Sequence, residues 1–329
     1  MRLRRSQVSK PGWTRRPSGK GFRYLDSDGR PISRDECERI KALVIPPAWR
    51  EVWICPWPNG HIQAVGIDDA GRKQYLYHDQ WRQQRDAEKF DRVLRLAPAL
   101  PEFRRALTKD LKVRGFPRAR TVAVCLRMLD HGVFRTGGEE YVEQNGSHGA
   151  TTLLREHVTV SGDRVSFDYR AKGGVQQTLT LPDPLLAKAV AGLKRTRSGS
   201  DRLLVYRTGK EWHEVHAEDV NGRFQELVGD EFSVKDLRTW NATVLAAAVL
   251  AGSSKTRRAV TQMYREVSEH LGNTPAVAKK SYVDPRLVDL FERDVTIAPA
   301  LQEFDSSDLS RMDVRESVEK AVHELLTDA

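Results

Sequence analysis

The spacing of apolar residues changes near Asp86, and this change limits the chain to a fold with two different parts. Residues 21–80 contain short aromatic or β-branched runs separated by Pro, Asn and Gly turns, a pattern typical of a small β-sheet. From Asp86 onward, apolar residues recur at helical spacing, which predicts helices at 86–96, 101–113 and 118–131. We therefore predict an α+β fold, with a β-rich domain at 21–85 and a larger, mainly α-helical domain at 86–329.

A second β element interrupts the helical region at residues 157–182, in HVTVSGDRVSFDYRAKGGVQQTLTL and the proline that follows it. Its turn residues divide it into three short strands, and the second turn places Lys172 at the tip of a hairpin. Further helices are predicted at 183–194, 217–228, 234–251 and 255–271, the last of them ending before Gly272.

The two ends of the chain carry opposite charge. Residues 1–24 hold eight Lys/Arg and no acid, without the apolar core of a secretory signal, so we expect residues 1–20 to form a flexible basic arm. Residues 301–329 hold eight Asp/Glu against three Lys/Arg and resemble an amphipathic helix. That helix has three open roles: packing on the helical domain, repelling DNA or binding a partner.

The net charge indicates the class of partner. It is +9 for the whole chain and −5 for residues 301–329, so residues 1–300 carry +14. Such an excess favours a polyanion such as nucleic acid, and the alternative is a basic surface that only maintains solubility. No apolar run approaches the ~20 residues of a membrane span. Three widely spaced cysteines suggest neither a disulfide framework nor a zinc site, which fits a reducing cytoplasmic compartment.

Six segments resemble one enzyme family. FRTGGEEYVEQNGSHGATTLLREHV (134–158), KDLRTW (235–240) and LGNTPAVAKKSYVDP (271–285) resemble the catalytic domain of type IB DNA topoisomerases, in the branch shared by bacteria and poxviruses. VIPPAW (44–49), PNGHIQAVG (58–66) and GRKQYLYH (71–78) resemble the small β domain of that branch. The resemblance covers residues 21–290. It implies the tyrosine recombinase/type IB topoisomerase fold and relaxation of positive and negative supercoils without ATP, metal or another cofactor.

The resemblance also implies a catalytic set, and the residue types suit the chemistry. A tyrosine that attacks a DNA phosphodiester gathers negative charge on the nonbridging oxygens, and a guanidinium donates two hydrogen bonds to such oxygens. The 5′ oxygen must be protonated as it leaves, and an ammonium beside two arginines is suited to release a proton. The product is a 3′-phosphotyrosyl link that allows controlled rotation and religation. The candidates are Arg135 and Arg238 as phosphate ligands, Lys172 as general acid, Tyr282 as nucleophile, and Asn273.

Asn273 departs from the family, because many members have a histidine at the matching position. An asparagine amide donates a hydrogen bond but carries no positive charge, so we expect a neutral donor to a nonbridging oxygen rather than a proton relay. Asn273 or Thr274 before Pro275 is also a good start for a helix.

Six further residues match DNA-contacting positions of the family. In a strand, Gln74 and Leu76 face one side while Tyr75 and Tyr77 face the other, so the four strand residues do not all share one surface. The His213 and His216 pair lacks the acids or cysteines that would complete a metal site. The resemblance implies that the partner is double-stranded DNA, which a monomer encloses as a clamp. It implies no association with a membrane. The DNA-binding candidates are Lys73, Gln74, Tyr75, Tyr77, Tyr141 and Thr152.

Two alternatives remain from the sequence. A tyrosine recombinase or integrase shares the catalytic fold, but typically has a histidine three residues before its second arginine, where this chain has Lys235. Recombinases also usually carry a helical rather than a β-rich amino-terminal domain. The third interpretation is a basic DNA-binding protein without catalysis. For an enzyme of this family in a bacterium, we expect a nucleoid-associated cytoplasmic location.

Overall fold

The chain divides into two units, Met1–Lys89 and Phe90–Ala329, where the sequence predicts a boundary after residue 85. The computed structural model describes residues 2–19, 21–69, 71–302, 309 and 312–329, without the side chains of Ala87, Tyr141, Gln144, Met312 and Asp313. Each unit has its own apolar core.

The first unit is a five-stranded antiparallel sheet with one helix. The strands run in the spatial order β2-β1-β3-β4-β5. The helix starts at a capping box, in which Ser33 accepts from the Glu36 amide and the Glu36 side chain accepts in return. The core residues include Trp13, Ile40 and Ile54. The elements are β1 (Trp13–Ser18), β2 (Gly21–Leu25), α1 (Arg34–Ala42), β3 (Arg50–Ile54), β4 (Ile62–Ile67) and β5 (Lys73–Tyr77).

The basic amino-terminal segment is part of this sheet. The sequence predicts a flexible arm for residues 1–20, and this prediction is wrong, because residues 13–18 form β1 and Arg4 makes a bridge to Gly60. Trp13 is buried in the core, which ties the strand down. The Arg15 guanidinium donates to the carbonyls of Ile45 at 3.1 Å and Pro46 at 2.6 Å. The basic composition of this segment therefore conceals a strand in which Arg15 binds the backbone of a neighbouring loop.

The second unit is mainly helical. A helix that crosses the division, α2 (Asp79–Leu96), leads into it. A three-stranded antiparallel sheet has the order β6-β7-β8, and β9 and β10 form a hairpin. The remaining elements are α3 (Leu100–Leu111), α4 (Arg118–Asp130), α5 (Glu139–Asn145), β6 (Val158–Ser161), β7 (Arg164–Arg170), β8 (Gln176–Pro182), α6 (Pro184–Lys194), β9 (Val205–Thr208), β10 (Glu211–Glu214), α7 (Ala217–Val228), α8 (Val234–Ala251), α9 (Arg257–Leu271), α10 (Pro275–Ser281), α11 (Arg286–Glu292), α12 (Ala298–Leu301) and α13 (Met312–Thr327).

Most predicted elements of this unit are confirmed. The helices predicted at 101–113, 118–131, 183–194, 217–228, 234–251 and 255–271 are α3, α4, α6, α7, α8 and α9, and the three strands are β6, β7 and β8. Of the three open roles of the acidic tail, packing on the helical domain is observed, since Val314, Val318 and Val322 of α13 are fully buried in the core. The β9–β10 hairpin is not predicted by the sequence. In the described part of the chain, no helix is long and apolar enough to cross a bilayer.

Candidate active site

The segment after α4 presents Arg135 beside the tyrosine. Its neighbour Phe134 is buried and packs edge-on against Phe167 of β7, with ring centroids 4.9 Å apart. The Arg135 carbonyl accepts from the Ala150 amide at 2.8 Å, and the Thr136 carbonyl accepts from Thr151 at 2.8 Å. Packing on one side and backbone hydrogen bonds on the other hold the segment, so the guanidinium extends from a fixed backbone.

Arg238 lies in the first half of α8 and is only 6% exposed. Its Nη1 donates to the carbonyls of Gly132 at 3.0 Å and Val133 at 2.7 Å, and its Nη2 donates to the Leu271 carbonyl. Its Nε is buried and has no hydrogen-bond partner among the described residues. The carbonyls therefore fix the guanidinium plane while one donor stays unused.

Tyr282 follows Ser281, the last residue of α10, and caps the carboxyl end of that helix. Its amide donates to Ala278 at 3.0 Å, and its carbonyl accepts from the Thr243 hydroxyl of α8 at 3.2 Å. Nη1 of Arg135 donates to the phenol oxygen at 3.5 Å. Cζ of Arg238 lies 5.3 Å from the centroid of the phenol ring. Two guanidinium groups thus converge on one tyrosine.

The charges change the ionisation of this cluster. Burial raises the pKa of Tyr282, but the positive charges of Arg238 and Arg135 and their hydrogen bonds outweigh it, so the pKa lies below the usual tyrosine value. Burial, and secondarily Arg135, lowers the pKa of Arg238 to about 10, so Arg238 remains charged at neutral pH. Nζ of Lys279, three residues before Tyr282, lies 5.9 Å from the centroid of the Tyr264 ring.

Lys172 and Asn273 lie on two neighbouring turns. Lys172 is exposed in the β7–β8 turn, so its predicted hairpin position is confirmed. Asn273 follows the glycine that ends α9, and a Cβ on that Gly272 would lie 2.7 Å from Oε1 of Gln177 on β8. The hairpin therefore approaches the α9–α10 turn. Both polar side-chain atoms of Asn273 are buried and lack partners within the described part of the chain. The catalytic roles of both residues stay predictions.

Two residues at this site are not predicted by the sequence. Tyr169 is 3% exposed, stacks on Phe134 with centroids 6.1 Å apart, and lies within the field of Arg238 and Arg135. Burial raises the pKa of Tyr169 to about 12 against those charges, so of these two tyrosines Tyr282 has the lowered pKa. Thr243 also accepts from the Asp284 amide at 3.3 Å and thereby holds both sides of Tyr282. The alternation Val165, Phe167, Tyr169 along β7 was the available signal for Tyr169.

Comparisons with known proteins identify the family. Residues 78–293 match the family described as "Eukaryotic DNA topoisomerase I, catalytic core". The chain belongs to the type IB DNA topoisomerase family. Residues 21–68 also match "Bacterial DNA topoisomerase IB, N-terminal domain". The chain is therefore a DNA topoisomerase, and the recombinase and non-catalytic alternatives fall away.

The relatives of this topoisomerase include viral enzymes. DNA topoisomerase 1B of Acanthamoeba polyphaga mimivirus is 30% identical over 298 residues, covering 86% of this chain and 88% of the relative. DNA topoisomerase 1B of Vaccinia virus (strain Copenhagen) is 22% identical, covering 69% and 71%. A solved structure of the XerH site-specific recombinase bound to palindromic difH substrate covers 61% of this chain and 51% of its own, at 13% identity. Its TM-score of 0.36 is too low to support an argument about this enzyme.

Strand β5 of the topoisomerase exposes three of the four predicted strand contacts. Tyr75 and Tyr77 are 41% and 39% exposed, and their rings stack with centroids 6.0 Å apart. Lys73 Nζ lies 5.9 Å from the Tyr75 ring. Gln74 is on the opposite face and donates to Asp68 at 2.9 Å, so the predicted alternation is confirmed and Gln74 is separated from the other three. We call Lys73, Tyr75 and Tyr77 the β5 face.

The remaining predicted positions of the enzyme have different outcomes. Thr152 is fully buried, and its hydroxyl accepts from the Gly149 amide at 2.9 Å, so its side chain holds a turn and does not present a surface to DNA. Tyr141 is in α5, and its side chain lies outside the described residues. His213 stacks on Tyr206, while His216 precedes α7. No group of three His, Cys, Asp or Glu side chains suited to a metal occurs in the described residues.

Proposed function

We propose that this topoisomerase relaxes supercoils of either sign by cutting one strand through Tyr282. The observation that carries the proposal is the convergence of Arg135 and Arg238 on the Tyr282 phenol. Two fixed positive charges beside a tyrosine of lowered pKa suit attack on a phosphodiester, where negative charge grows on the nonbridging oxygens.

In the cleavage step, Tyr282 Oη forms a bond to phosphorus as the bond from phosphorus to the 5′ oxygen breaks. The phenol proton leaves to solvent, and Lys172 gives a proton to the departing 5′ oxygen. Arg135 and Arg238 stabilise the nonbridging oxygens. The unpaired Nε of Arg238 and the unpaired amide of Asn273 are donors that a phosphate oxygen would satisfy. The reverse reaction reseals the strand after rotation, and the phosphotyrosyl bond conserves the energy, so ATP is not needed.

We further propose that the enzyme acts as a monomer that encloses the duplex as a clamp. The support is that each unit carries a cationic feature, the β5 face in the first and the arginine pair in the second. Contacts of this kind go mainly to phosphates, so sequence preference should be modest. A cytoplasmic location is part of the same proposal.

Plasmid relaxation tests the function. Purified enzyme is incubated with negatively or positively supercoiled plasmid in EDTA without ATP, and topoisomers are separated by electrophoresis. We expect stepwise relaxation of both substrates, loss of relaxation in Tyr282→Phe, and retention in Tyr264→Phe, which alters a buried tyrosine of α9. Relaxation that persists in Tyr282→Phe contradicts the assigned nucleophile, and a requirement for a divalent metal contradicts the charge assignment.

A further inference from the structure

Four charged side chains from three helices meet inside the second unit. Arg104 of α3 donates to Asp130 of α4 at 2.9 and 3.1 Å and to Glu319 of α13 at 2.7 Å through each of two nitrogens. Arg315 of α13 donates to Glu319 at 3.0 Å and to Asp130 at 3.1 Å. None of the four is more than 6% exposed. We call Arg104, Asp130, Arg315 and Glu319 the α13 network.

The α13 network continues into the helix that carries Arg238. Nη2 of Arg315 donates to Oδ1 of Asn241 at 2.7 Å and to the Asp130 carbonyl at 2.6 Å. The Asn241 amide donates to the same Asp130 carbonyl at 3.0 Å and to the Leu237 carbonyl at 2.8 Å. Asn241 therefore joins α13, the end of α4 and the turn of α8 that contains Arg238.

Asn241 also packs against the turn that holds the arginine. Gly132 has a φ of +78°, and a Cβ on it would lie 2.6 Å from Cβ of Asn241. The carbonyls of Gly132 and the next residue, Val133, are the acceptors of Arg238 Nη1. A continuous series of contacts thus runs from α13 through Arg315 and Asn241 to the carbonyls that orient the Arg238 guanidinium.

Stability alone is a weak reason for such a network. Burying ions is expensive, and well-packed apolar replacements of a buried ion pair are often neutral or stabilising. The charges balance, with two guanidinium groups and two carboxylates. Burial raises the pKa of Asp130, but Arg104 and Arg315 outweigh it and hold the pKa well below its usual range. The network instead fixes the orientation of its helices. Each guanidinium donates in fixed directions and therefore requires acceptors at a narrow set of positions.

We propose that Arg315 and Asn241 are positioning residues for Arg238, so that α13 contributes to the active site through Arg315. Arg315 fixes Asn241 and the end of α4, and these fix the carbonyls that set the guanidinium plane. The proposal rests on the proposed role of Arg238 in transition-state stabilisation. A displaced guanidinium loses hydrogen bonds to the nonbridging oxygens of the pentacoordinate transition state, while the rest of the DNA-binding surface is unchanged.

The test separates positioning from stability. The double variant Arg315→Met/Glu319→Met removes one charge of each sign and leaves the Arg104–Asp130 pair balanced. Single-turnover cleavage is measured at saturating DNA, together with DNA affinity and the unfolding midpoint. We expect a cleavage rate at least roughly tenfold lower with an affinity within about threefold of wild type. Leu326→Ala, a buried α13 residue outside the network, should lower the midpoint but keep the rate within about threefold.

A second background makes the result specific to Arg238. In Arg238→Lys, which lacks the guanidinium fork, the double variant should cost less than about twofold further, because coupled residues are not additive. Arg315→Lys keeps the charge but loses the fork, and serves if the double variant does not fold; it should also slow cleavage. A wild-type rate in the Arg315 variants, an equal loss in Leu326→Ala, or the same loss in both backgrounds overturns the inference. A wild-type rate in Arg238→Lys overturns the proposed role of Arg238 itself.

Discussion

At the scale of single residues, the environment of Tyr282 changes the chemistry of its phenol, because it lowers the pKa. A phenol at its reference pKa of ~10 is mostly protonated at neutral pH and attacks poorly. Arg135 and Arg238 favour the phenolate, whereas Tyr169, which lies in the field of the same two charges, keeps a raised pKa because burial dominates there. Two tyrosines in one field therefore have opposite pKa shifts, and Tyr282 is the less buried of the two.

Difference titration tests this assignment. The absorbance change on ionisation is compared between wild type and Tyr282→Phe in the absence of DNA. We expect the difference to titrate below the usual tyrosine pKa, because the two guanidinium charges stabilise the phenolate more than burial destabilises it. Replacing Arg238 with Ala should move that titration to higher pH. A difference that titrates above the usual value contradicts the account.

Asn273 gives a second prediction at this scale. Asn273→Ala should lower the single-turnover cleavage rate roughly 10²-fold, as for loss of one transition-state donor. Asn273→His has a donor that the Ala variant lacks. Its imidazole loses its positive charge as the pH rises through ~6.5, so the cleavage or religation rate of this variant should decline over that range. The check is the rate as a function of pH for the three proteins. An Ala variant with the wild-type rate would show that Asn273 acts only in the turn.

The sequence predicts residue types at the site better than their surroundings. Arg135 and Tyr282 are separated by 147 positions, so only the family resemblance connects them before the structure does. The carbonyls around Arg238 and the burial of Thr152 are tertiary effects, since they depend on segments distant in the chain. Hydrogen bonds to backbone carbonyls leave no side-chain pattern to detect.

At the scale of elements, the β7–β8 hairpin carries Lys172, and its proposed role as general acid can be tested directly. Lys172→Ala should lower cleavage of ordinary DNA by about 10²- to 10⁴-fold if it is the general acid. A substrate with sulfur at the 5′ bridging position has a leaving group that needs no proton, so it should react at similar rates with both proteins. A loss of the same size on the sulfur substrate would contradict proton donation by Lys172.

The β5 face supplies a prediction about binding. Replacing Lys73, Tyr75 and Tyr77 with Ala should weaken DNA binding roughly tenfold, with the cleavage rate at saturation within about threefold, because phosphate contacts set affinity and position. Gln74→Ala, on the opposite face of the same strand, is the matched control and should bind as wild type. Unchanged affinity in the triple variant would remove this face from the DNA-binding surface.

Most helices of the second unit are predictable from periodicity, and two of the missed elements have clear physical causes. The predicted helices α3, α4 and α6 to α9 have strong apolar repeats or clear caps, such as Thr256 before α9. Strand β1 is concealed by its basic residues, one of which, Arg15, uses its guanidinium group as an internal hydrogen-bond donor to the loop at 45–49. The β9–β10 hairpin has only four residues per strand, too few for a clear alternation.

At the scale of the whole molecule, the distribution of charge agrees with the function. The net charge of +14 over residues 1–300 is suited to binding phosphates. The net charge of −5 over residues 301–329 is compatible with DNA binding because one of its carboxylates is buried inside the protein. Glu319 is neutralised by Arg104 and Arg315 inside the core. The acidic tail is thus in part a structural element, and net charge alone does not reveal it.

The central claim is that Tyr282 forms a 3′-phosphotyrosyl link with DNA. A nicked suicide duplex that loses its 5′-hydroxyl fragment traps the covalent complex, which is digested with nuclease and trypsin and analysed by mass spectrometry. Cleavage after Lys280 and Arg286 yields SYVDPR, with Tyr282 as its only tyrosine. We predict that this peptide carries the nucleotide through a 3′-phosphate. An adduct on another peptide, or a link through a 5′-phosphate, would contradict the account.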